Sequence, residues 1–250
     1  MINNRVFASY NGSQQGFTVR DMGLDQLSFC NTGFNINSIA AGANDDLYLA
    51  SANHLYHYKA DGTLLTDMTF PDERINYTSV TVRGSRVYAT YEGSQVGVTI
   101  RDLNLNQLSC FNTSFVTNGL AAGANNDLYL TSTNHIYHYD TDGTQIADMA
   151  FPISSINYTD VTVIGDKVFA SYNGSQLGFT VRDLTLNQLS YSNLGFDINS
   201  IAAGVNDDVY LASTNHLYNY AADGTLIADM NFPIPTINYT GVSVVFVTLT

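Results

Sequence analysis

The chain repeats itself every 81 residues, and this repeat restricts its fold more than any other feature. Residues 6–14, VFASYNGSQ, return with few changes at 87–95 and at 168–176. Three copies of 81 residues fill 243 of the 250 positions. Each copy divides again into two related halves, because the stretch from Asp46 resembles the stretch from Arg5. The structural unit is therefore about 40 residues, the size typical of a propeller blade or a solenoid repeat.

Each unit reads as four short strands. Segments rich in Val, Ile, Tyr, Phe and Thr are interrupted about every eight to twelve residues by Gly, Asn-Asp or Asp-Gly turns. In the unit at 37–70 the pattern predicts strands at 38–43, 47–51, 54–59 and 63–70. No segment shows the apolar period and the caps of a helix. The sequence thus predicts an all-β, six-bladed β-propeller with four antiparallel strands per blade, and an elongated array is the alternative.

A regular series of asparagines favours the closed ring. One asparagine opens every predicted innermost strand, at steps of 39 and 42 residues: Asn37, Asn76, Asn118, Asn157, Asn199 and Asn238. The chain begins at a second strand and ends after a first one, so a ring closes if the C-terminal strand joins the three N-terminal strands. This closure also removes the exposed sheet edges of an open array. We therefore expect a single domain over 1–250, with blades at 37–71, 76–115, 118–152, 157–196, 199–233, and 238–250 plus 5–34. No role is predicted for residues 246–250.

Residues 44–65 carry a family resemblance. They combine a turn, an apolar strand, an Asn-containing turn and a strand that ends in Asp-Gly, and the stretches from Asn125 and Asn206 match them. This pattern resembles a blade of the NHL-like six-bladed propellers. The resemblance spans essentially the whole chain and implies blade architecture. It implies little about activity, because such propellers serve as binding scaffolds, lactonases, lyases and lectins.

The charge composition narrows the choice of partners. The chain has 22 acidic and nine basic residues, a formal net charge of −13, and no basic cluster. Phosphate backbones and anionic lipid surfaces would be repelled, so neither nucleic-acid binding nor membrane insertion is expected. The Asp-rich turns, such as Asp61-Gly62, are expected at the end of the ring opposite the asparagines, which would leave the asparagine end neutral.

The two cysteines, Cys30 and Cys110, fall two blades apart in the repeat, too far for a disulfide. We expect two free, mostly buried thiols. The N-terminus also shows no basic stretch followed by an apolar one, so no signal peptide is visible. Both observations favour a cytoplasmic protein, although the compartment is left undetermined.

The candidate ligand-binding residues are polar side chains expected at one end of the ring. They comprise the asparagine series together with His54, His135, His216, Gln14, Gln95 and Gln176. Amides present a donor and an acceptor together, so the asparagines could bind a neutral polar ligand, a carboxylate or a hydrated ion. The alternative is that each asparagine satisfies backbone groups where its strand begins. His54 and His57 should face opposite sides of a strand, which argues against a zinc site.

A calcium-dependent enzyme is a further alternative. The asparagine ring looks similar to the inner-strand starts of gluconolactonase-type propellers, which hold Ca²⁺ at the channel mouth. That resemblance would implicate Asp160 and Asp197 as weak metal candidates, since both break the threefold pattern near the ring. No catalytic residue and no required cofactor is predicted, because a distinctive acid and base pair is not apparent.

The sequence therefore favours a non-enzymatic, multivalent binding propeller that recognises neutral polar ligands in the manner of a lectin. A protein-interaction or self-assembly scaffold is the first alternative, and a calcium-dependent lactonase or lyase is the second. The expected partner is a glycan or a protein, with monomer and homo-oligomer both left open. The repeated pairs from Arg20-Asp21 onward are expected to be exposed ion pairs between strands.

Overall fold

A computed structural model describes residues 4–42, 45–204, 206–232 and 234–245. Within these ranges the chain forms 24 β-strands and no α-helix. The strands build six four-stranded antiparallel sheets that are arranged as blades around an axis. This confirms the predicted six-bladed propeller. Residues 246–250, which have no predicted role, lie outside the described residues.

Three blades have an innermost strand of only four residues, and we call them short blades. Their strands, from the axis outwards, are β4 (Ser38–Ala41), β5 (Asp46–Ser51), β6 (His54–Lys59) and β7 (Leu64–Thr69); β12 (Gly119–Ala122), β13 (Leu128–Ser132), β14 (His135–Tyr139) and β15 (Gln145–Ala150); and β20 (Ser200–Ala203), β21 (Asp208–Ser213), β22 (His216–Ala221) and β23 (Leu226–Asn231).

The other three blades have an innermost strand of nine residues, and we call them long blades. Two of them are β8 (Ile75–Arg83), β9 (Arg86–Gly93), β10 (Gly97–Asp102) and β11 (Gln107–Asn112), and β16 (Ile156–Ile164), β17 (Lys167–Gly174), β18 (Gly178–Asp183) and β19 (Gln188–Asn193). The third combines the two ends of the described chain: β24 (Ile237–Val245), β1 (Arg5–Gly12), β2 (Gly16–Arg20) and β3 (Gln26–Asn31). In it β24 pairs antiparallel with β1, with Arg5 opposite Val245, so the predicted ring closure is confirmed.

Each long blade carries a β-bulge in its innermost strand. In β8, Tyr77 lies opposite Tyr91 and Ser79 lies opposite Thr90, which leaves Thr78 as an extra residue. The same irregularity leaves Thr159 extra in β16 and Thr240 extra in β24. A bulge bends its strand and redirects a side chain, and here it brings three threonines towards the axis at one end of the ring.

The hydrophobic core lies between blades rather than inside one sheet. Six separate clusters of buried residues each combine side chains from two neighbouring blades. Tyr77 and Tyr158 are fully buried, with phenol groups that approach a guanidinium. Burial raises the pKa of Tyr77 and of Tyr158 to about 12, so both phenols stay neutral.

The prediction of exposed Arg–Asp pairs is wrong. Arg20 is only 3% exposed, and its guanidinium donates to the Leu24 carbonyl at 2.8 Å and to the Tyr239 hydroxyl at 3.1 Å. Asp21 instead accepts from the backbone N–H groups of its own turn. The arginine therefore satisfies buried oxygens of its own blade, and Arg101 and Arg182 repeat the arrangement.

Both cysteines are unpaired, as predicted, but they are not mostly buried. Cys30 is half-buried and Cys110 is exposed, because each lies on an outermost strand where one side of the sheet faces solvent. Among the described residues, no helix has the length and apolarity needed to cross a membrane.

Candidate functional site

All six asparagines of the series are exposed and lie at the start of an innermost strand. The turns between the second and third strands of each blade lie at the same end of the ring, and so do the connections between blades. We call this end the Asn-rich face. The structure thus places the predicted asparagines together, but it divides them into two groups of three.

The first group joins neighbouring blades. Asn37 precedes β4, and its side-chain amide donates to the Tyr77 carbonyl in the next long blade at 2.7 Å. Asn118 and Asn199 make the same bond, also at 2.7 Å, to the carbonyls of the equivalent tyrosines. Each acceptor directly precedes a bulge, where the sheet ladder is interrupted. For these three asparagines the structural interpretation holds, because they satisfy a backbone group where a strand begins.

The second group is free of protein partners. Asn76, Asn157 and Asn238 are each the second residue of a long innermost strand. Their side chains make no hydrogen bond within the described residues. A ligand at the axis can therefore use them without breaking a structural bond.

The three predicted histidines each form the outer end of an aromatic column. His54 stacks on Tyr56 with ring centroids 5.2 Å apart, and Tyr56 stacks on Phe34 at 4.3 Å. The His54 Nδ1 atom lies 2.7 Å from the Asp67 carboxylate on the outermost strand. We call such a set a rim column, and its side chains are half-exposed where a short blade adjoins the preceding long blade.

The other two copies reproduce the rim column. His135 stacks on Tyr137 at 5.3 Å and lies 2.7 Å from Asp148. The third column, with the same stacking, consists of His216, Tyr218, Phe196 and Asp229. Burial first, and the neighbouring aspartate second, raise the pKa of each of these tyrosines, so the columns present neutral phenols next to carboxylates.

The predicted glutamines lie in the turns between the second and third strands of the long blades, counted from the axis. Gln14 and Gln95 are exposed and Gln176 is half-exposed. The turns are fixed by their neighbours, since Ser13 and Thr236 hydroxyls lie 2.7 Å apart. The glutamines therefore share the Asn-rich face but lie between the rim columns and the axis rather than in either.

Asp160 lies in the central channel, whose cavity of about 200 Å³ is lined by all six innermost strands. Its carboxylate accepts hydrogen bonds from the Ser200 hydroxyl at 2.6 Å and from the N–H groups of Ile201 and Val161 at 3.1 and 2.8 Å. Burial raises its pKa to about 6, although these hydrogen bonds act in the opposite direction. Asp160 is thus a structural carboxylate that is held inside the channel.

A glycine opposite Asp160 explains how the carboxylate fits. In the first copy, the Ser38 hydroxyl accepts the Val80 N–H at 3.2 Å, and Gly119 occupies the position equivalent to Ser38. A Cβ atom at Gly119 would lie 2.5 Å from Asp160 Oδ1. The carboxylate therefore takes both the space and the acceptor role of the missing serine hydroxyl.

The predicted calcium donors do not form a metal site. Asp197 is exposed in the loop before β20, whereas both oxygens of Asp160 are already hydrogen-bonded inside the channel. No group of three or more His, Cys, Asp or Glu side chains that could hold a metal is found in the part of the chain that is described. This donor set does not fit Ca²⁺, which takes about six to eight oxygen ligands.

Glu92 is a functional candidate that sequence reasoning missed. It lines a cavity of about 570 Å³ on the Asn-rich face, together with Asn118, Asn157 and Asn199. The three bulge threonines line the same cavity, so it lies at the mouth of the channel. The missed signal was available in the alignment of the copies, where Asn11, Glu92 and Asn173 share one position.

The opposite end of the ring carries acidic turns. Asp61 accepts from the Thr63 N–H at 2.9 Å, and the equivalent Asp142 and Asp223 accept from Thr144 and Thr225. These hydrogen bonds hold the pKa of all three carboxyl groups below the usual range, so the turns remain charged. The Asn-rich face is nevertheless not neutral, since it also carries Glu92 and the carboxylates of the rim columns.

Comparisons with known proteins show the fold alone. No family model matches the chain, and no curated protein matches its sequence. The chain resembles the crystal structure of a protein of unknown function from Bacteroides caccae, with a TM-score of 0.78 and 9% identity over 97% of this chain and 99% of that one. It also resembles the WD40 β-propeller domain of Doa1, with a TM-score of 0.67 and 11% identity over 92% and 80% of the two chains.

A chain in a structure of the Mitotic Checkpoint Complex is a third structural relative. Its TM-score is 0.62 at 15% identity, over 79% of this chain and 64% of the other. At these identities the likeness supports the propeller architecture and carries no activity with it.

Proposed function

We propose that this chain is a non-enzymatic, multivalent binding propeller that recognises neutral polar ligands, namely glycans, on its Asn-rich face. The observation that supports the proposal is the rim column, which occurs three times with the same side chains and nearly the same distances. Three equivalent sites on one rigid ring gain affinity for a multivalent ligand through avidity, even where each site binds weakly.

The chemistry of a rim column suits a sugar. Half-exposed aromatic rings give apolar surface, and a carboxylate and an imidazole next to them accept and donate hydrogen bonds. His54 keeps Nδ1 on Asp67 at 2.7 Å, which fixes the orientation of the ring. The nearby amides of the loop glutamines, Gln14, Gln95 and Gln176, add donors and acceptors within the same face. The blade design itself, with its Asn-containing and Asp-Gly turns, supports kinship with NHL-like propellers as part of this proposal.

A glycan screen followed by calorimetry tests the proposal. We expect a neutral oligosaccharide to bind with a stoichiometry close to three per chain. A single site per chain for every ligand in the screen, or no binding at millimolar concentrations, would contradict it.

Self-assembly is the second candidate function, and the outer edge of the ring favours it. Of the twelve large hydrophobic side chains that are exposed in the described residues, ten lie on outermost strands, including Leu27 and Phe29 on β3. Outermost strands also present unpaired backbone groups that can add a strand from another chain. The partner that fits this edge is a second copy of the same chain, since the outermost strands of the long blades carry no charged residue and two of them can meet without bringing the acidic turns together.

Light scattering on size-exclusion peaks tests this second candidate. The wild-type chain should form dimers or larger species at micromolar concentration, and the double variant Leu27→Gln/Phe29→Gln should shift the distribution towards monomer. A monomeric wild-type chain across the concentration range would rule self-assembly out, whatever the outcome of the glycan screen.

A further inference from the structure

The mouth of the channel differs from the rim, because the mouth has one cavity on the axis whereas the rim has three separate rim columns. Its volume of about 570 Å³ falls within the range of about 300–1,000 Å³ that is typical of small-molecule pockets. Threonines from all three bulges line it, namely Thr78, Thr159 and Thr240. Their hydroxyls are fixed by neighbouring strands: Thr78 lies 2.8 Å from the Thr90 hydroxyl. The cavity is therefore preformed and lined with hydroxyl and amide groups.

One side chain of the lining does not follow the repeat. In the first copy, Asn11 is hydrogen-bonded to the segment that leads into the next short blade. Its Oδ1 accepts from the Ile36 N–H at 2.9 Å, and its Nδ2 donates to the Ile36 carbonyl at 3.1 Å. Asn173 makes the same pair of bonds to Ile198. A carboxylate has no donor for the second bond, so Glu92 cannot replace the asparagine.

Glu92 is left without a protein partner. Its side chain is half-buried at the cavity and makes no hydrogen bond or ion pair in the described part of the chain. Its carboxylate oxygens are therefore available to accept hydrogen bonds from a ligand in the cavity. The cavity lining contains no lysine and no arginine.

Arg74, a basic side chain on this face, is already paired with a carboxylate. Arg74 donates two hydrogen bonds to Asp72, each at 2.9 Å, and the Ser94 hydroxyl donates to the same carboxylate at 2.7 Å. Asp160 follows Thr159 directly along β16, so a second carboxylate lies just below the mouth. Glu92 at the mouth and Asp160 below it face no lysine or arginine of the mouth cavity's lining, so the electrostatic potential at the mouth is negative.

We propose that the channel mouth is a single binding site for an amino sugar with a free ammonium group. Glu92 binds the ammonium group, since an ammonium supplies three hydrogen-bond donors and a positive charge that pairs with the negative carboxylate. The Asn157 amide, the side-chain oxygens of Asn118 and Asn199, and the bulge threonines bind the hydroxyl groups. This site is separate from the three rim columns and does not depend on them.

Calorimetry with three matched sugars tests the site. Glucosamine, which is cationic at neutral pH, should bind with a stoichiometry of one, and N-acetylglucosamine and glucose should each bind at least about tenfold more weakly because they lack the charge. High salt should weaken the binding of glucosamine selectively.

The variant Glu92→Asn supplies a control that the chain itself provides, because asparagine stands at this position in the other two copies. It should fold, which thermal unfolding checks, and it should lower the affinity for glucosamine by about tenfold or more. The companion variant Glu73→Ala removes an exposed carboxylate elsewhere on the same face, leaves Glu92 in place and should keep the affinity.

Three outcomes would overturn the site. They are equal affinity of wild-type and Glu92→Asn chains for glucosamine, equal binding of glucosamine and N-acetylglucosamine, and a Glu92-dependent thermal shift with Ca²⁺ but not with glucosamine. Failure of the site leaves neutral-glycan binding at the rim columns intact, since that binding has a stoichiometry of three and is expected to be unchanged in Glu92→Asn.

Discussion

At the rim of the Asn-rich face the three copies place the same four side chains, whereas around the axis they place different ones. Every rim column has a histidine, a tyrosine, a phenylalanine and an aspartate. At the axis, one channel position is Ser79, Asp160 or Gly241, and one mouth position is asparagine or Glu92. The rim is thus suited to binding the same ligand three times, and the axis to binding one ligand once.

The largest expected effect comes from removing the rim histidines. His216→Ala should lower the stoichiometry of neutral-glycan binding from three to two and leave the affinity of the remaining sites unchanged. The triple variant His54→Ala/His135→Ala/His216→Ala should lower affinity by more than about a hundredfold, since each site loses the residue that joins the aromatic column to its carboxylate. Titration calorimetry measures both quantities.

Glu73→Ala is the matched control for the rim variants, because Glu73 is an exposed residue of the same face outside the columns. Its binding should equal that of the wild-type chain. If one histidine variant abolished all binding, the three columns would not be independent sites, and the contrast between rim and axis would fail.

The second prediction concerns the packing of the axis. Gly119→Ala should lower the free energy of unfolding by about 2–3 kcal/mol, because its Cβ would lie 2.5 Å from Asp160 Oδ1 and 2.6 Å from Asp160 Cα. Gly23→Ala should change it by less than about 0.5 kcal/mol, since that glycine is exposed and a Cβ there meets only Asp21 Oδ1 at 3.4 Å. Urea unfolding measures the difference.

A double variant sharpens the same prediction. In an Asp160→Gly background, the cost of Gly119→Ala should fall by about 1 kcal/mol, because the contact with the carboxylate is gone and the contacts with the backbone at position 160 and with Thr131 Oγ1 remain. Equal costs in the two backgrounds would mean that Gly119 and Asp160 are not coupled.

The sequence predicts the repeated parts of this molecule better than the interactions between its parts. Alternating apolar residues and Asp-Gly turns predict the strands, and the count of strands predicts the closure of β24 on β1. That Asn37 satisfies a backbone group was one of the two predicted alternatives. Its acceptor could not be predicted, because the Tyr77 carbonyl belongs to another blade and is exposed only by a bulge. The burial of Arg20 could not be predicted for another reason: its partner Tyr239 lies on β24 of the same blade, 219 residues away along the chain, and meets it only because the ring closes.

The third prediction is a pH dependence at the axis. The pKa of Asp160 is raised to about 6 in the folded chain, above its ordinary value of 3.8, so its contribution to stability is fully present below pH 3.8 and is lost as the pH rises through 6. Between pH 4 and pH 7.5 the wild-type chain should lose on the order of 2 kcal/mol of unfolding free energy that Asp160→Ser does not lose. Serine is the residue of the first copy, Ser79, which makes this variant the matched control.

Chemical unfolding at the two pH values measures this difference. The hydrogen bonds that Asp160 accepts are lost in the variant at both pH values. Their loss therefore changes the free energy of unfolding by the same amount at both, and leaves its dependence on pH unchanged. Parallel curves for the wild-type and variant chains would show that the carboxylate is not desolvated by the channel.

The smallest expected effect separates the two groups of asparagines. Asn37→Ala removes the 2.7 Å bond to the Tyr77 carbonyl and should lower the free energy of unfolding by about 1 kcal/mol. Asn76→Ala should change it by less than about 0.5 kcal/mol, because the Asn76 side chain is exposed and makes no bond within the described residues. Urea unfolding of the two variants side by side resolves the difference, and equal effects would contradict the division. In the sequence the six asparagines form one regular series. If the difference is found, the series consists of three residues that join neighbouring blades and three whose side chains make no bond within the described residues, and its regular spacing follows from the alternation of short and long blades.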